Sequence, residues 1–334
     1  MGNRGCCVAE NEESTEAKRI ALKNKNTEFA PIKEKDEWLY SANTQGERTP
    51  KPEDVPDLLK ALPAVMPELS ESVSALFSAI RTDDYLNDND LKIRFSLYPV
   101  LGPYRYEDGS TYEGQYRNGL RHGRGRQVCA DGSLYEGYWI SDRKSIRGVL
   151  VKSDGTVILG LISHGGFRGE VDVRCANGDL FTGGWQRGYP NGQGQLIETA
   201  SHRTYRGGFV DGLKQGEGVI EWQDGSVYEG DFYNNKIHGQ GKKVWYDGRE
   251  YEGHWSDGKM NGEGKFTWPD GRMYLGNYKN DQKDGYGEMY FPSGVVFKGT
   301  WSNGKENGKG ELINSQGISE FAEWKDGSKL KTNF

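Results

Sequence analysis

Apolar mass is scarce in this sequence. Only 34% of the 334 residues are hydrophobic, and nowhere do about 18 apolar residues run together, the length a membrane-spanning helix needs. The first residues lack the apolar core of a secretory signal. A basic excess is missing too. Residues 1–100 hold 13 of the 43 Lys and Arg and 18 of the 49 Asp and Glu, which leaves the rest close to neutral and the whole at −6. The positive surface that a nucleic acid requires is therefore absent.

What the sequence has instead is 48 glycines, 19 tyrosines and 9 tryptophans. Aromatics are rare in disordered chains, so these rings are expected to do the burying in a thin structure. Their spacing is regular. Tyr251–Met273 reads YEGHWSDGKMNGEGKFTWPDGRM, and the windows one step before and after, Tyr228–Glu250 and Tyr274–Val296, are variants of it. A fixed period of this size marks a repeat architecture. Half a repeat begins near Tyr98. Units start at Tyr112, Tyr135, Ile158, Phe181, Tyr205, Tyr228, Tyr251, Tyr274 and Phe297, with a truncated one at Glu320. All full units have 23 residues except that at Phe181, which has one more.

Numbering positions within the unit shows what each does. Position one is aromatic in eight of nine units, position three is glycine in all nine, and position five is aromatic in eight. Residues i, i+2 and i+4 of a strand share a face, so the rings line up beside a glycine notch. Positions sixteen and eighteen, such as Phe266 and Trp268, continue that face on a second strand. Positions two and four are mostly polar and point the other way. Positions twenty and twenty-one are often Asp-Gly, as at Asp247-Gly248 and Asp270-Gly271, which predicts type I′ hairpin turns. Position eight holds only Gly, Asn or Asp, the residues that tolerate a left-handed backbone.

The predicted fold is mostly β: an elongated single-layer antiparallel β-meander over 98–334, twisted and roughly 90–100 Å long at two strands per repeat. One aromatic face would have no second sheet to cover it, and large exposed apolar patches mark interaction sites. The candidate partner-binding face is Tyr228, Phe232, Trp245, Tyr251, Trp255, Phe266, Trp268, Tyr274, Tyr278, Phe297 and Trp301. On that reading Trp255→Ala or Trp301→Ala removes partner capture and spares the fold. Cys129 and Cys175 share one position of units two apart, roughly 19 Å in such a sheet. That is beyond disulfide reach, and a reduced, cytoplasmic protein is expected.

Two segments precede the repeats. Residues 1–53 mix charges with Asn, Gln, Thr and Pro without a sustained period, which predicts a disordered tail. It opens MGNRGCC, and Gly2 fits the start of the N-myristoylation pattern, with Cys6 where Ser or Thr is usual. One acyl chain anchors weakly. Cys6 and Cys7 as palmitoylation sites, or the basic cluster Lys18, Arg19, Lys23 and Lys25, would supply the second signal. The alternative is an unmodified tail with two exposed thiols. Over 54–97 the apolar spacing of Leu69, Val73, Leu76, Phe77 and Ile80 predicts an amphipathic helix over 67–81 beginning at Pro67 and Glu68. Val55, Leu58, Leu59 and Leu62 form a shorter run. The helix either caps the first repeats or lies along the aromatic face. Asp83–Asp90 lacks the Gly and Glu of a calcium loop and reads as a solvated linker.

YEGHWSDGKMNGEGKFTWPDG and its neighbours resemble the MORN-repeat family, over about ten repeats at 98–327. The match is specific at 112, 228, 251, 274 and 297 and weaker at 135 and 158, where Ile146 and Val171 replace loop glycines. The resemblance implies a twisted sheet that scaffolds proteins near membranes or the cytoskeleton, often in cilia, with a groove for a partner's helix.

No catalytic, cofactor or metal site is expected. The Gly-x-Gly pairs, such as Gly239/Gly241 and Gly262/Gly264, lack the third Gly and helix of a dinucleotide fold and the Lys-Ser/Thr of a P-loop. The five histidines do not converge, and no small-molecule substrate is implied. The leading expectation is a lipid-anchored, non-catalytic scaffold, peripheral on the inner face of a membrane, binding a partner protein's helical segment. The alternatives are a structural part of a cilium, axoneme or other cytoskeletal assembly, and direct phospholipid binding by the repeats. Near-neutral charge weighs against the last.

Overall fold

The computed structural model describes residues 62–63, 66–79, 86 and 88–330. The tail with Gly2, Cys6 and Cys7 lies outside them. Two compact units make up the described chain. The N-terminal one comprises the helical segment and the repeats to Gly166, with 174–178, and the C-terminal one comprises 167–173 and 179–330. In both the chain is an antiparallel meander of short strands, and the fold is mostly β.

The repeat at Tyr251 shows how the sequence builds it. Strands Glu250–Ser256 and Lys259–Thr267 pair with Tyr251 opposite Phe266 and Gly253 opposite Gly264. The tyrosine ring lies flat over this glycine pair. A Cβ at Gly264 would meet the Tyr251 hydroxyl at 2.3 Å, and one at Gly253 would meet the Gly264 Cα at 2.5 Å. The register then slips between Gly253 and Trp255, a β-bulge that leaves the His254 carbonyl without a ladder partner. The Tyr251 hydroxyl donates to that carbonyl at 3.0 Å. The same bond runs from Tyr205 to Gly208, Tyr228 to Asp231 and Tyr274 to Asn277. Tyr251→Phe should therefore lower stability by about 1 kcal/mol through the orphaned carbonyl, read by urea denaturation.

The two turns of each repeat differ in kind. Positions seven and eight form the type I′ turn, with both residues left-handed: Asp257 at φ 50° and Gly258 at 82°. Position eight is left-handed in all nine repeats. In six of them, Asp142, Gly212, Asn235, Gly258, Asp281 and Gly304, the N–H also reaches back to position ten of the preceding repeat, as from Gly258 to the Ile237 carbonyl at 2.8 Å. Where the residue is Asp or Asn, its side chain adds a second bond, as Asp281 Oδ1 accepting from the Met260 N–H at 2.8 Å. The Asp-Gly turns are not type I′ as predicted. Only the glycine has positive φ, 82° at Gly248. The Gly248 N–H donates to the Trp245 carbonyl and the Trp245 N–H to Arg249, both at 2.9 Å, a type I turn closed by a glycine bulge. The aspartate is selected for its side chain, which accepts from the Arg249 N–H at 3.1 Å.

Two helices pack on the N-terminal unit. Helix α1, Glu71–Ala79, starts a turn later than predicted, because the Ser70 hydroxyl accepts from the Val73 N–H and ends the preceding extended chain. Of the two placements expected, it takes the one against the first repeats and does not follow the rings. Val73 packs on Val128, Leu134, Val149, Val151 and Val157, with Met66, Leu69 and Phe77 alongside. These are positions fifteen, seventeen and twenty-three, on the face opposite the tyrosines. Helix α2, Asn89–Phe95, begins at the end of Asp83–Asp90, the stretch read as a solvated linker, and was not expected beyond it. Asp88 caps it by accepting from the Asp90 and Leu91 N–H groups at 3.0 and 3.1 Å, and it pairs with Arg147 at 3.3 Å. The Tyr138 hydroxyl donates to the Leu86 carbonyl at 2.9 Å, and Gln115 Nε2 to the Phe95 carbonyl at 2.7 Å. Ile146 stands at φ 66° where other repeats have glycine, a strained conformation for a β-branched residue. Its side chain packs with Leu86, Phe95 and Tyr138, which offsets the strain.

Candidate partner-binding face

The sequence places the rings of the C-terminal unit on one face, and the structure closes most of that face. Each position-one ring meets the position-five ring of its own repeat and of the next, edge to face except for the tilted pair Phe181 and Trp185. Tyr251 contacts Trp255 at 5.0 Å and Tyr278 at 5.2 Å, and Tyr274 contacts Tyr278 and Trp301, both at 5.3 Å. The zigzag runs from Phe181 through Tyr205, Phe209, Tyr228 and Phe232 to Phe297 and Trp324. Each contact stabilises by roughly 0.5–1.5 kcal/mol beyond burial. Indole N–H groups tie repeats together as well, with Trp255 Nε1 donating to the Gly241 carbonyl at 3.0 Å.

Consequently Tyr251 is 0% exposed and Trp255 5% exposed. Tyr228, Phe232, Phe266, Tyr274, Tyr278, Phe297 and Trp301 are buried too. A single sheet layer leaves these rings little contact with water because each spends its faces on its neighbours. Burial raises the phenol pKa of Tyr228, Tyr251 and Tyr274.

Position ten supplies the lid, a role that sequence reasoning missed. Lys283 extends over the stack, its Nζ 4.3 Å from the Trp301 centroid, 4.7 Å from Tyr274 and 5.1 Å from Trp268. Lys144 and Lys214 lie over Tyr135 and Tyr205 in the same way. Lys214 also pairs with Glu198. In neighbouring repeats the position is Ile237 or Met260. The recurrence of long cationic side chains there, at Arg121, Lys144, Lys214 and Lys283, is the signal that could have found it.

Burial pushes the Lys283 amine down to about 8, only partly countered by Glu306. The folded state thus binds fewer protons than the unfolded one from about pH 8 to the free lysine value, and stability rises with pH through that window. In Lys283→Met this lysine's share of the slope disappears, and the part that Lys243 and Lys144 contribute remains. Comparing urea midpoints of wild type and variant at about pH 7.5 and about pH 9.5 checks it.

Two of the predicted site rings stay half-exposed, Trp245 and Trp268. Both occupy position eighteen, beside the turn, with Phe266 between them at 5.4 and 4.4 Å. Trp222 and Phe291 hold the same position in adjoining repeats and are half-buried too. Cations sit against these indoles: Lys243 Nζ at 4.6 Å from Trp222 and 5.0 Å from Trp245, and Arg249 and Arg272 over Trp245 and Trp268. Burial also lowers the Lys243 pKa. The open part of the aromatic face is therefore a strip of indoles interleaved with lysine and arginine.

A family model for the MORN repeat matches residues 112–134, 181–197, 205–227, 228–248, 251–271, 274–296 and 297–318. The chain is a MORN-repeat protein. The model passes over 135–180, the repeats with Ile146 and Val171. MORN repeats are a generally non-catalytic repeat module. No curated protein matches the chain.

Two solved structures bear a low similarity. One is the TCP domain of SAS-4 (dCPAP) of Drosophila melanogaster in complex with a proline-rich motif of Ana2 (dSTIL). It shares 10% identity over 59% of this chain and 88% of that one, at a TM-score of 0.24. The other is the TCP10 domain of Danio rerio CPAP in complex with a STIL peptide, at 15% identity, 63% and 100% coverage and a TM-score of 0.24. Such scores carry no argument about this protein's partner.

Among the described residues no group of three or more His, Cys, Asp or Glu is placed to hold a metal. No described helix is long and apolar enough to cross a membrane. Among the described residues Cys129 and Cys175 form no disulfide.

Proposed function

We propose that this MORN-repeat protein is a scaffold held at the cytoplasmic face of a membrane by its acylated N-terminus, and that it captures a partner protein along the strip around Trp245 and Trp268. Gly2 carries the myristoyl chain, and Cys6 and Cys7 supply the second anchor that one chain requires. The observation that supports capture is the opening of an otherwise closed ring stack at position eighteen. Half-exposed indoles are strong interface anchors. The cations against them favour a helical segment with acidic residues beside its apolar stripe.

Mass spectrometry of the native N-terminal peptide together with flotation of wild type and Gly2→Ala tests the anchor. Acylated Gly2, and membrane association lost in the variant, are the expected results. A free or acetylated Gly2 would remove the anchor from the account. Salt-resistant co-sedimentation with axonemes or cell cortex, independent of Gly2, would favour a cytoskeletal component instead.

A further inference from the structure

On the face opposite the tyrosines, positions seventeen and twenty-three of successive repeats stand opposite one another and form a row across the sheet. In the N-terminal unit this row is apolar: Val128 faces Leu134, Leu134 faces Val151, and Val151 faces Val157. It is the row that α1 covers with Val73. Through the repeats that follow Tyr205 the same row is bracketed by charge, with Val227 and Val244 between Glu221 and Glu250.

At the end of the C-terminal unit the row turns apolar again. Met273 faces Tyr290, Tyr290 faces Val296, and Val296 faces Ile313. All four are half-buried by sheet neighbours alone, and the C-terminal unit contains no described helix. Beside the row, Leu275 is 38% exposed and Phe321 76% exposed. They hold position two, where Leu159 in the N-terminal unit packs into the α1 cluster.

We propose that the row Met273–Tyr290–Val296–Ile313 is a second docking site, and that it takes an amphipathic helix of another protein patterned like α1. The register equivalence supplies the shape: a helix lying across four strands, with apolar residues at i and i+4 as Val73 and Phe77 are in α1. The rim supplies the charge. Lys298 and Glu288, beside the row, pair with each other at 3.4 Å, which leaves little field to select a charged helix. The helix that fits is therefore near-neutral, as is α1, whose single charged residue is Glu71. The chain's own α1 is already committed, with Val73 buried on the first row. The site lies on the opposite face from Trp245 and Trp268, so its fate is separate from that of the proposed capture strip.

The probe is a fluorescent synthetic peptide with the sequence of residues 66–81, titrated into the full chain and followed by anisotropy and hydrogen exchange. The tethered α1 holds the first row at an effective concentration of about millimolar, so the peptide reports on the free row. Saturable binding is expected, with slowed exchange over 273–313. Val296→Glu should weaken binding at least about tenfold and Val296→Ser several-fold, whereas Val227→Glu and Trp268→Ala should leave it unchanged. The Ser variant guards against a folding defect in the Glu one.

No saturable binding, equal binding by the Val296 variants, or protection confined to 128–157 would overturn the proposal. Slow exchange in residues 1–61 of the free chain that is lost in Val296→Glu would give the row to the chain's own tail. A dimer dispersed by Val296→Glu would give it to a second copy. Either result overturns the external partner.

Discussion

Gly264→Ala is expected to destabilise the C-terminal unit by about 3 kcal/mol, far more than adding one methyl group to a surface strand would suggest. The new Cβ would stand 2.3 Å from the Tyr251 hydroxyl and 2.4 Å from its Cε2. The ring cannot swing aside, because Trp255 and Tyr278 abut it at 5.0 and 5.2 Å. Gly258→Ala is the control. Gly258 has φ 82° with nothing within 4 Å of its Cβ direction, so only the left-handed strain of about 1 kcal/mol applies. Urea denaturation of the two variants separates the effects. Equal losses would mean that the ring does not rest on the glycine pair.

The second large effect distinguishes two tryptophans that look alike in sequence. Trp255→Ala should cost about 3–5 kcal/mol, since it empties a buried site between two tyrosines and frees the Gly241 carbonyl. In a repeat array this loss is felt first by the neighbouring repeats, so exchange should quicken over 228–278 before the N-terminal unit responds. Trp268→Ala, at a half-exposed position, should cost about 1 kcal/mol. The expectation that Trp255 can be removed without harm to the fold belongs to a reading in which the ring face is open, whereas Trp255 is buried; on the proposed function, capture falls instead to Trp268.

The period of 23, the meander and the left-handed position eight were legible because each rests on backbone geometry that few residue types satisfy. Nine positions from Gly119 to Gly304 carry only Gly, Asn or Asp, and all nine have positive φ. The coupling of position-one ring to position-fourteen glycine was present too. The repeat with Ile158 in place of the ring is the one with Val171 in place of the glycine. Less legible was how far the rings close on themselves. That depends on contacts between repeats and on the lysines at position ten, which a period-two reading of single strands assigns to a loop. Asp-Gly misled for a similar reason, because it suits both a type I′ turn and a type I turn with a glycine bulge. Only the φ of the aspartate separates the two. The face taken by α1 was hidden in Val128, Leu134, Val149 and Val151, because the same positions in later repeats mix apolar and charged residues, as Glu221, Val227, Val244 and Glu250 do.

Proximity labelling in cells with the full chain and the Trp245→Ala/Trp268→Ala variant, at matched expression and with folding checked by thermal melting, tests the central claim most directly. The account predicts that the variant keeps its membrane neighbours, which depend on the tail, and loses the partner labelled by wild type. An unchanged set of labelled proteins would contradict the assignment of capture to this strip.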